Sequence, residues 1–274
     1  MNLLKHRTVY SKTGTILDAI CEKKVEEIAA ISALEFQTWK DRVRDMPKAS
    51  GKKFSVSITE KKPGIIAEVK KASPSEGVIR QQIDPPTIAL SYQKSGASAI
   101  SVVTDRQFFQ GNIEWIRNIK QAVVLPVIRK DFVLDEKQVW ESKAAGANAM
   151  LLISGILEQI KLQELYKLCY ELGMEVLVEV HTMTELEKAL NIGAHIIGVN
   201  NRNLKSFGVS NSTFSSIAEH IPEDKIAVAE SGVHSREDLL YMKNANADAV
   251  LIGTHFMRAS DPGKALAELI KGIQ

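Results

Sequence analysis

Glu68 and Lys70 end an apolar run, Ile65 to Val69, and stand two residues apart. On a strand, positions i and i+2 share a face, so a carboxylate and an ammonium leave one side of one strand end. Burying such charges is costly unless they are paired or used. The turn after them, Ser73-Pro74-Ser75-Glu76-Gly77, adds hydroxyls and flexible backbone. Other apolar runs end in similar residues: Thr104-Asp105, Arg129-Lys130-Asp131-Phe132, Ser154, Glu179-Val180-His181, Asn200-Asn201-Arg202-Asn203, Glu230-Ser231-Gly232 and Gly253-Thr254. Opposite charges packed together tune one another's pKa values, which is what general acid–base chemistry requires. Ser231-Gly232 and Gly253-Thr254 suit another task. Glycines let backbone N–H groups approach an anion, and helix N-termini add partial positive charge, so a small phosphorylated substrate is expected there. Taken singly, these residues are ordinary. Asp131 is as readily a helix cap or a lysine partner as a catalyst, and Asn200 to Asn203 is as readily a turn. His181, His195, His220, His234 and His255 lack metal-ligand spacing, and most of them read as surface or helix-end residues, so no metal site is expected.

An internal echo identifies the elements that must position these groups. Gly96-Ala97, Gly146-Ala147, Gly193-Ala194 and Asn246-Ala247 each end a helical segment and lead into an apolar run. Gly or Asn just past a helix accepts the left-handed conformation that terminates it. The echo recurs about every fifty residues, the length of two βα units. With the runs between, strands are predicted to start near residues 65, 99, 125, 149, 174, 196, 226 and 249. Helical periodicity covers Leu157 to Leu172, Thr184 to Ile192, Ser235 to Lys243 and Pro262 to Ile270. Eight alternating units predict an α/β fold, a closed parallel (β/α)8 TIM barrel, with chemistry at the C-terminal strand ends. An open doubly wound sheet is the alternative. Residues 1–274 read as a single barrel domain in which residues 1–62 are an N-terminal helical extension, with one or two amphipathic helices between Thr15 and Trp39. The extension either plugs a barrel end or folds over the catalytic face; the sequence leaves both open.

Bulk properties narrow the class. The 274 residues carry 35 basic and 33 acidic side chains, a net charge of +2, which argues against general nucleic-acid or anionic-membrane binding. With 45% apolar residues there is material for a sizeable core. No apolar run approaches the ~18 residues that span a membrane. Residues 1–14 are polar and lack a signal-peptide apolar region. Cys21 and Cys169 lie far apart and read as ordinary thiols of a reducing compartment. A cytoplasmic protein, a monomer or weak homodimer, is expected.

Longer motifs carry a resemblance. They are Ala67-Glu68-Val69-Lys70-Lys71-Ala72-Ser73-Pro74-Ser75, Thr104-Asp105 with Phe109-Gln110-Gly111, Arg129-Lys130-Asp131-Phe132, Leu177-Val178-Glu179-Val180-His181, Gly198-Val199-Asn200-Asn201-Arg202-Asn203-Leu204, Ala229-Glu230-Ser231-Gly232 and Leu251-Ile252-Gly253. Over almost its whole length, extension included, the chain resembles the indole-3-glycerol phosphate synthase family. The resemblance implies a barrel enzyme without metal or organic cofactor. It would act on 1-(2-carboxyphenylamino)-1-deoxyribulose 5-phosphate by ring closure, loss of carbon dioxide and dehydration. It implies that Lys130 is the general acid, with Glu68 placed to pair with it, and that Glu179 transfers a proton in dehydration. Lys70 would meet the substrate carboxylate and could also donate a proton; the division of acid steps between the two lysines stays open. Asn200 and Arg202 would orient the substrate, with Glu230 supporting them. Ser73, Ser231, Gly232, Gly253 and Thr254 would bind it, the last four near its phosphate. Phe109, Phe132 and Leu151 would line the aromatic-ring pocket, and Ser73 to Gln82 matches a mobile loop. The chain departs from the family in Thr254, where Ser is commoner, and in Glu76, where a basic residue is frequent. Two other functions fit the same residues: a Schiff-base aldolase using Lys70 or Lys130 as nucleophile, and a non-catalytic sensor of a phosphorylated ligand.

Overall fold

The computed structural model describes residues 10–46, 52–203 and 205–273. Eight parallel strands close into a barrel: β1 Gly64–Val69, β2 Ala99–Val103, β3 Val127–Lys130, β4 Ala149–Ile153, β5 Glu175–Val180, β6 Ile196–Asn200, β7 Ile226–Glu230 and β8 Ala249–Ile252. Closure is direct: β1 pairs with β2 through Ile66 and Ala99, and with β8 through Gly64 and Ala249. The strands are buried almost throughout, because helices cover the outer face and side chains fill the interior. Observed strand starts follow the predicted ones closely. The third begins two residues late because Pro126 precedes it and has no N–H to give a ladder.

The connecting helices are α4 Pro85–Lys94, α5 Glu114–Ala122, α6 Glu136–Ala145, α7 Gln159–Glu171, α8 Met183–Asn191, α9 Ser212–Ala218, α10 Arg236–Asn244, α11 Thr254–Arg258 and α12 Pro262–Ile270; the extension ahead of β1 supplies α1 Ile16–Ala30, α2 Ala33–Arg44 and α3 Phe54–Thr59. The echo has one backbone cause. Gly96, Gly146, Gly193 and Asn246 have φ of 99°, 96°, 75° and 62°, the left-handed turn that stops a helix before the next strand.

Different parts of the extension do both things the sequence left open. Helix α1 starts at Thr15, whose side chain accepts the Leu17 N–H, and its Ile16, Leu17 and Ile20 reach a cavity at the C-terminal strand ends. Helix α3 sits at the opposite end. Its Phe54 and Ile58 are fully buried, Ser57 Oγ donates to the Ser98 carbonyl at 2.6 Å, and Ser55 Oγ donates to Glu175 at 2.6 Å. No described helix is long and apolar enough to cross a membrane.

Candidate active site

Four ionisable side chains reach the barrel mouth from alternate strands: Glu68 from β1, Lys130 from β3, Glu179 from β5 and Glu230 from β7. Alternate strands contribute one layer of a barrel interior, so these four share a layer. Lys130 Nζ lies 2.8 Å from Glu179 Oε2 and 3.1 Å from Glu230 Oε2. The expected Glu68–Lys130 pair is not formed. Glu68 Oε1 instead binds Lys70 Nζ at 2.9 Å, and its other oxygen accepts the Ser101 hydroxyl at 3.2 Å. The reason is local: Lys70 stands two residues from Glu68 on the same strand face, whereas Lys130 is already shared by two carboxylates.

Room for the layer comes from missing side chains. A Cβ on Gly198 would sit 2.1 Å from Glu230 Oε1, and one on Gly253 would sit 2.4 Å from Glu68 Oε1. Gly198→Ala therefore displaces Glu230 from Lys130, and a drop in kcat with little change in the far-UV spectrum is the expected result.

Electrostatics separate the two acids around Lys130. Burial pulls the Lys130 ammonium down, but the charges of Glu179, Glu230 and Glu68 outweigh it and hold the group protonated. Burial pushes Glu179 up, yet Lys130, His181 and the hydrogen bonds from Lys130 and Asn200 bring it well below the carboxylate range. Glu230 goes the other way. Burial raises it, the Glu179 charge adds to that, and Lys130 only partly opposes them. Beyond the Lys130 ion pair, no hydrogen bond reaches either Glu230 oxygen among the described residues. One ammonium thus holds one carboxylate ionised and leaves its neighbour as the group that takes up a proton.

Lys70, Ser73, Phe109, Phe132, Leu151, Asn200, Arg202, Ser231, Gly232, Gly253 and Thr254 line the same cavity, whereas the strand-end residues Thr104, Asp105, Arg129, Ser154, Asn201 and Asn203 do not. Asn200 Nδ2 donates to Glu179 Oε1 at 3.1 Å, while its Oδ1 accepts the Arg202 N–H at 3.0 Å. Arg202 is braced by the Phe207 carbonyl at 3.1 Å. The Phe109 and Phe132 rings meet with centroids 5.8 Å apart, and Leu151 shares the cavity with them. On the far side, Ser231 and Gly232 have φ of 65° and 89°, and Gly253 leads into α11, which Thr254 opens. Ser73 Oγ is buried at the cavity without a partner among the described residues. Glu76, in the loop after β1, pairs with Arg258 of α11. Leu204, the end of one motif, lies outside the described residues. No cluster of His, Cys, Asp or Glu among the described residues is arranged to hold a metal ion.

Sequence reasoning left three contributors unassigned: the apolar stripe of α1, His181 and Lys24. The apolar stripe Ile16, Leu17 and Ile20 was legible as one helix face, but periodicity does not say which barrel end it meets. His181 is not a surface residue. It lies beside Glu179, its Nε2 3.4 Å from Oε1. The same i, i+2 rule that coupled Glu68 to Lys70 would have found it.

Helix α1 also fastens the aromatic wall. Lys24 is buried, with Nζ 2.9 Å from Asp105 Oδ2, 3.1 Å from Asp131 Oδ1 and 2.8 Å from Glu27. Asp105 accepts the Phe108 and Phe109 N–H groups, and Asp131 accepts that of Phe132 as well as Arg129 and the Thr104 hydroxyl. Asp131 is thus a lysine partner, and its carboxyl is held below the usual range by Arg129 and Lys24 despite burial. Lys24→Met leaves buried Asp105 without its cation and Asp131 with Arg129 alone, and is expected to cost about 3 kcal/mol in denaturant unfolding.

A family model for indole-3-glycerol phosphate synthase matches residues 17–269. The chain belongs to the indole-3-glycerol phosphate synthase family. Synthases of that name are 45% identical in Albidiferax ferrireducens and in Shouchella clausii, each over 93% of this chain and 97% of theirs. The Burkholderia vietnamiensis synthase is 42% identical over 93% and 98%. Solved barrels agree in fold alone. A thiamine phosphate pyrophosphorylase from Pyrococcus furiosus has a TM-score of 0.59 at 16% identity, covering 76% of this chain and 94% of its own. The KGPDC of Streptococcus mutans has 0.60 at 14%, covering 76% and 96%. The chain therefore has the carboxy-lyase activity of an indole-3-glycerol phosphate synthase, in tryptophan biosynthesis.

Proposed function

We propose that this cavity closes the ring of 1-(2-carboxyphenylamino)-1-deoxyribulose 5-phosphate, releases carbon dioxide and dehydrates the product to indole-3-glycerol phosphate, with Lys130 as general acid and Glu179 as proton acceptor. The observation that carries this reading is Lys130 held between Glu179 and Glu230 at the mouth of a cavity with an aromatic wall on one side and a glycine-rich wall on the other. Phe109, Phe132 and Leu151 take the aminobenzoate ring. Ser231, Gly232, Gly253 and Thr254 take the phosphate, where left-handed backbone turns N–H groups toward an anion. Between them the ring carbon that bears the carboxylate attacks the ketone. The carbonyl oxygen becomes an alkoxide, and Lys130 protonates it. Three carboxylates strengthen the hold of Lys130 on its proton, but an alkoxide is a far stronger base than an amine, so the transfer remains downhill. Loss of carbon dioxide restores the aromatic ring. Departure of the hydroxyl as water then needs a proton on its oxygen, which Lys70 gives once carbon dioxide has left it, and a base for the neighbouring proton, for which Glu179 is ionised and within reach. Lys70 meets the substrate carboxylate, leaving Glu68 when it does so.

An aldolase reading asks for a neutral lysine. The carboxylates around Lys130 work against that form, and borohydride is expected to trap no adduct on it. The decisive assay is indole fluorescence after addition of the carboxyphenylamino-deoxyribulose phosphate to folded protein at neutral pH. Silence there would sink the proposal. Thr254→Ala is expected to raise KM severalfold with kcat nearly kept, since it removes one phosphate hydrogen bond of about 1 kcal/mol; an unchanged KM would move the phosphate elsewhere.

A further inference from the structure

We propose that His181 is a positioning residue: a cation fixed by Glu185 that orients Glu179 and sustains its negative charge through the reaction. The proposal rests on the assignment of Glu179 as proton acceptor. His181 directly follows β5 and leaves it on the side from which Glu179 emerges two residues earlier. Its Nε2 is 3.4 Å from Glu179 Oε1, and its Nδ1 is 3.4 Å from Glu185 Oε2. The same Glu185 oxygen accepts the His181 backbone N–H at 2.8 Å, so one carboxylate holds both backbone and ring. Glu185 is itself fixed. Its N–H donates to Thr182 Oγ1 at the start of α8, and it packs on Gly155, where a Cβ would come within 3.1 Å of Oε1.

Nε2 is buried with no directed hydrogen bond among the described residues. A neutral imidazole would leave the ring without charge between two carboxylates; a doubly protonated ring donates Nδ1–H to Glu185 and sets a positive charge 3.4 Å from Glu179. The groups that face it come from three elements: Glu179 on β5, Glu185 on α8 and, at longer range, Glu230 on β7. Glu179 is met from its other side by Lys130 of β3 and Asn200 of β6. Burial opposes the charge on the ring, but the Glu185 hydrogen bond and the surrounding carboxylates outweigh it and hold the ring above its ordinary value.

The arrangement answers a problem in the order of events. Lys130 loses its charge when it protonates the alkoxide. Glu179, fully buried, would then lose its main reason to stay ionised before the dehydration that needs it as a base. His181 is a second cation on the opposite oxygen that does not take part in the first transfer. Removing it lets the Glu179 pKa climb.

The experiment compares the pH profile of kcat for the wild type, His181→Gln, His181→Asn and Glu185→Gln. The acid limb is expected to move to higher pH by about one unit in both His181 variants, the size for loss of one adjacent charge, with KM little changed. Glu185→Gln is expected to move it the same way by less. Ring 1H–15N correlation spectra of the wild type are expected to give a His181 midpoint above about 6.5, falling in Glu185→Gln. An unmoved acid limb in both His181 variants overturns the proposal, as does a midpoint at or below the ordinary value. If the His181 variants fail to fold, Glu185→Gln and the wild-type titration decide by the same criteria. Glu179→Gln serves as control. Full turnover in it removes the base assignment and this proposal together, whereas an inactive Glu179→Gln beside unchanged His181 profiles removes this proposal alone.

Discussion

Lys130→Met is expected to lower kcat by about 10²–10⁴-fold, the range for loss of one acid–base group. Met keeps the length of the side chain and its packing but cannot donate a proton to the alkoxide. Carbon dioxide release should fail along with indole formation, because decarboxylation follows ring closure. A variant that still released carbon dioxide at the wild-type rate would show that another group, Lys70 first among them, protonates the alkoxide. Stability supplies a second readout with a definite sign. In the wild type the Glu179 pKa lies below its unfolded value, so its contribution is present above the usual carboxylate range and is lost as pH falls through the depressed folded pKa. Without Lys130, Glu179 loses its largest lowering charge and Glu230 the one charge that opposes its rise, so both folded pKa values climb, that of Glu230 further above its unfolded value. The variant then binds a proton on Glu230 more tightly folded than unfolded, and loses stability as pH rises through that value. The deficit against wild type is therefore expected to shrink between about pH 8 and about pH 5. A deficit that grew on acidification would contradict the pairing of Lys130 with two carboxylates.

The parts of this molecule that follow from local rules were legible in the sequence. Gly146 and Asn246 announced helix ends because few residues tolerate positive φ, and the strands were legible because both faces of a covered parallel strand are apolar. The third strand slipped by two residues because a single proline outweighs an apolar run. Strand ends then located the candidate site residues around one cavity. Which charge meets which was another matter. It depends on strand stagger around the barrel and on side-chain reach, neither of which a sequence pattern encodes. The family resemblance implied a Glu68–Lys130 pair; in the barrel Glu68 has a nearer lysine and Lys130 has two nearer carboxylates. Lys24 was hidden for a related reason. Its neighbours in sequence are Lys23 and the glutamates of an exposed helix face, and only docking of α1 over the barrel mouth buries it against Asp105 and Asp131. His181 was the avoidable miss, since strand spacing alone put it beside Glu179.

Glu179→Gln is expected to lower kcat about as far, roughly 10²–10⁴-fold, but to stop the reaction at a different place. The amide keeps the shape of the carboxyl group and can still accept from Asn200 or Lys130, so the cavity stays formed and KM changes little. What is lost is the base. Ring closure and decarboxylation need Lys130 and the substrate's own carboxylate, and neither step calls on Glu179 for a proton. Removing the Glu179 charge also loosens the hold of Lys130 on its proton, since that charge is the largest of the three that raise it. Lys130 becomes a better acid for the first step. In a single turnover, Glu179→Gln should therefore release carbon dioxide at close to the wild-type rate while indole fluorescence stays flat, with a decarboxylated, still hydroxylated species building up to about one equivalent of enzyme. Loss of both signals together would make Glu179 necessary for ring closure, and so overturn the division of labour between Lys130 and Glu179. Fluorescence rising in step with carbon dioxide would make some other group the base, and Glu230, whose raised pKa already marks it as a proton acceptor in the same layer, is the first to test.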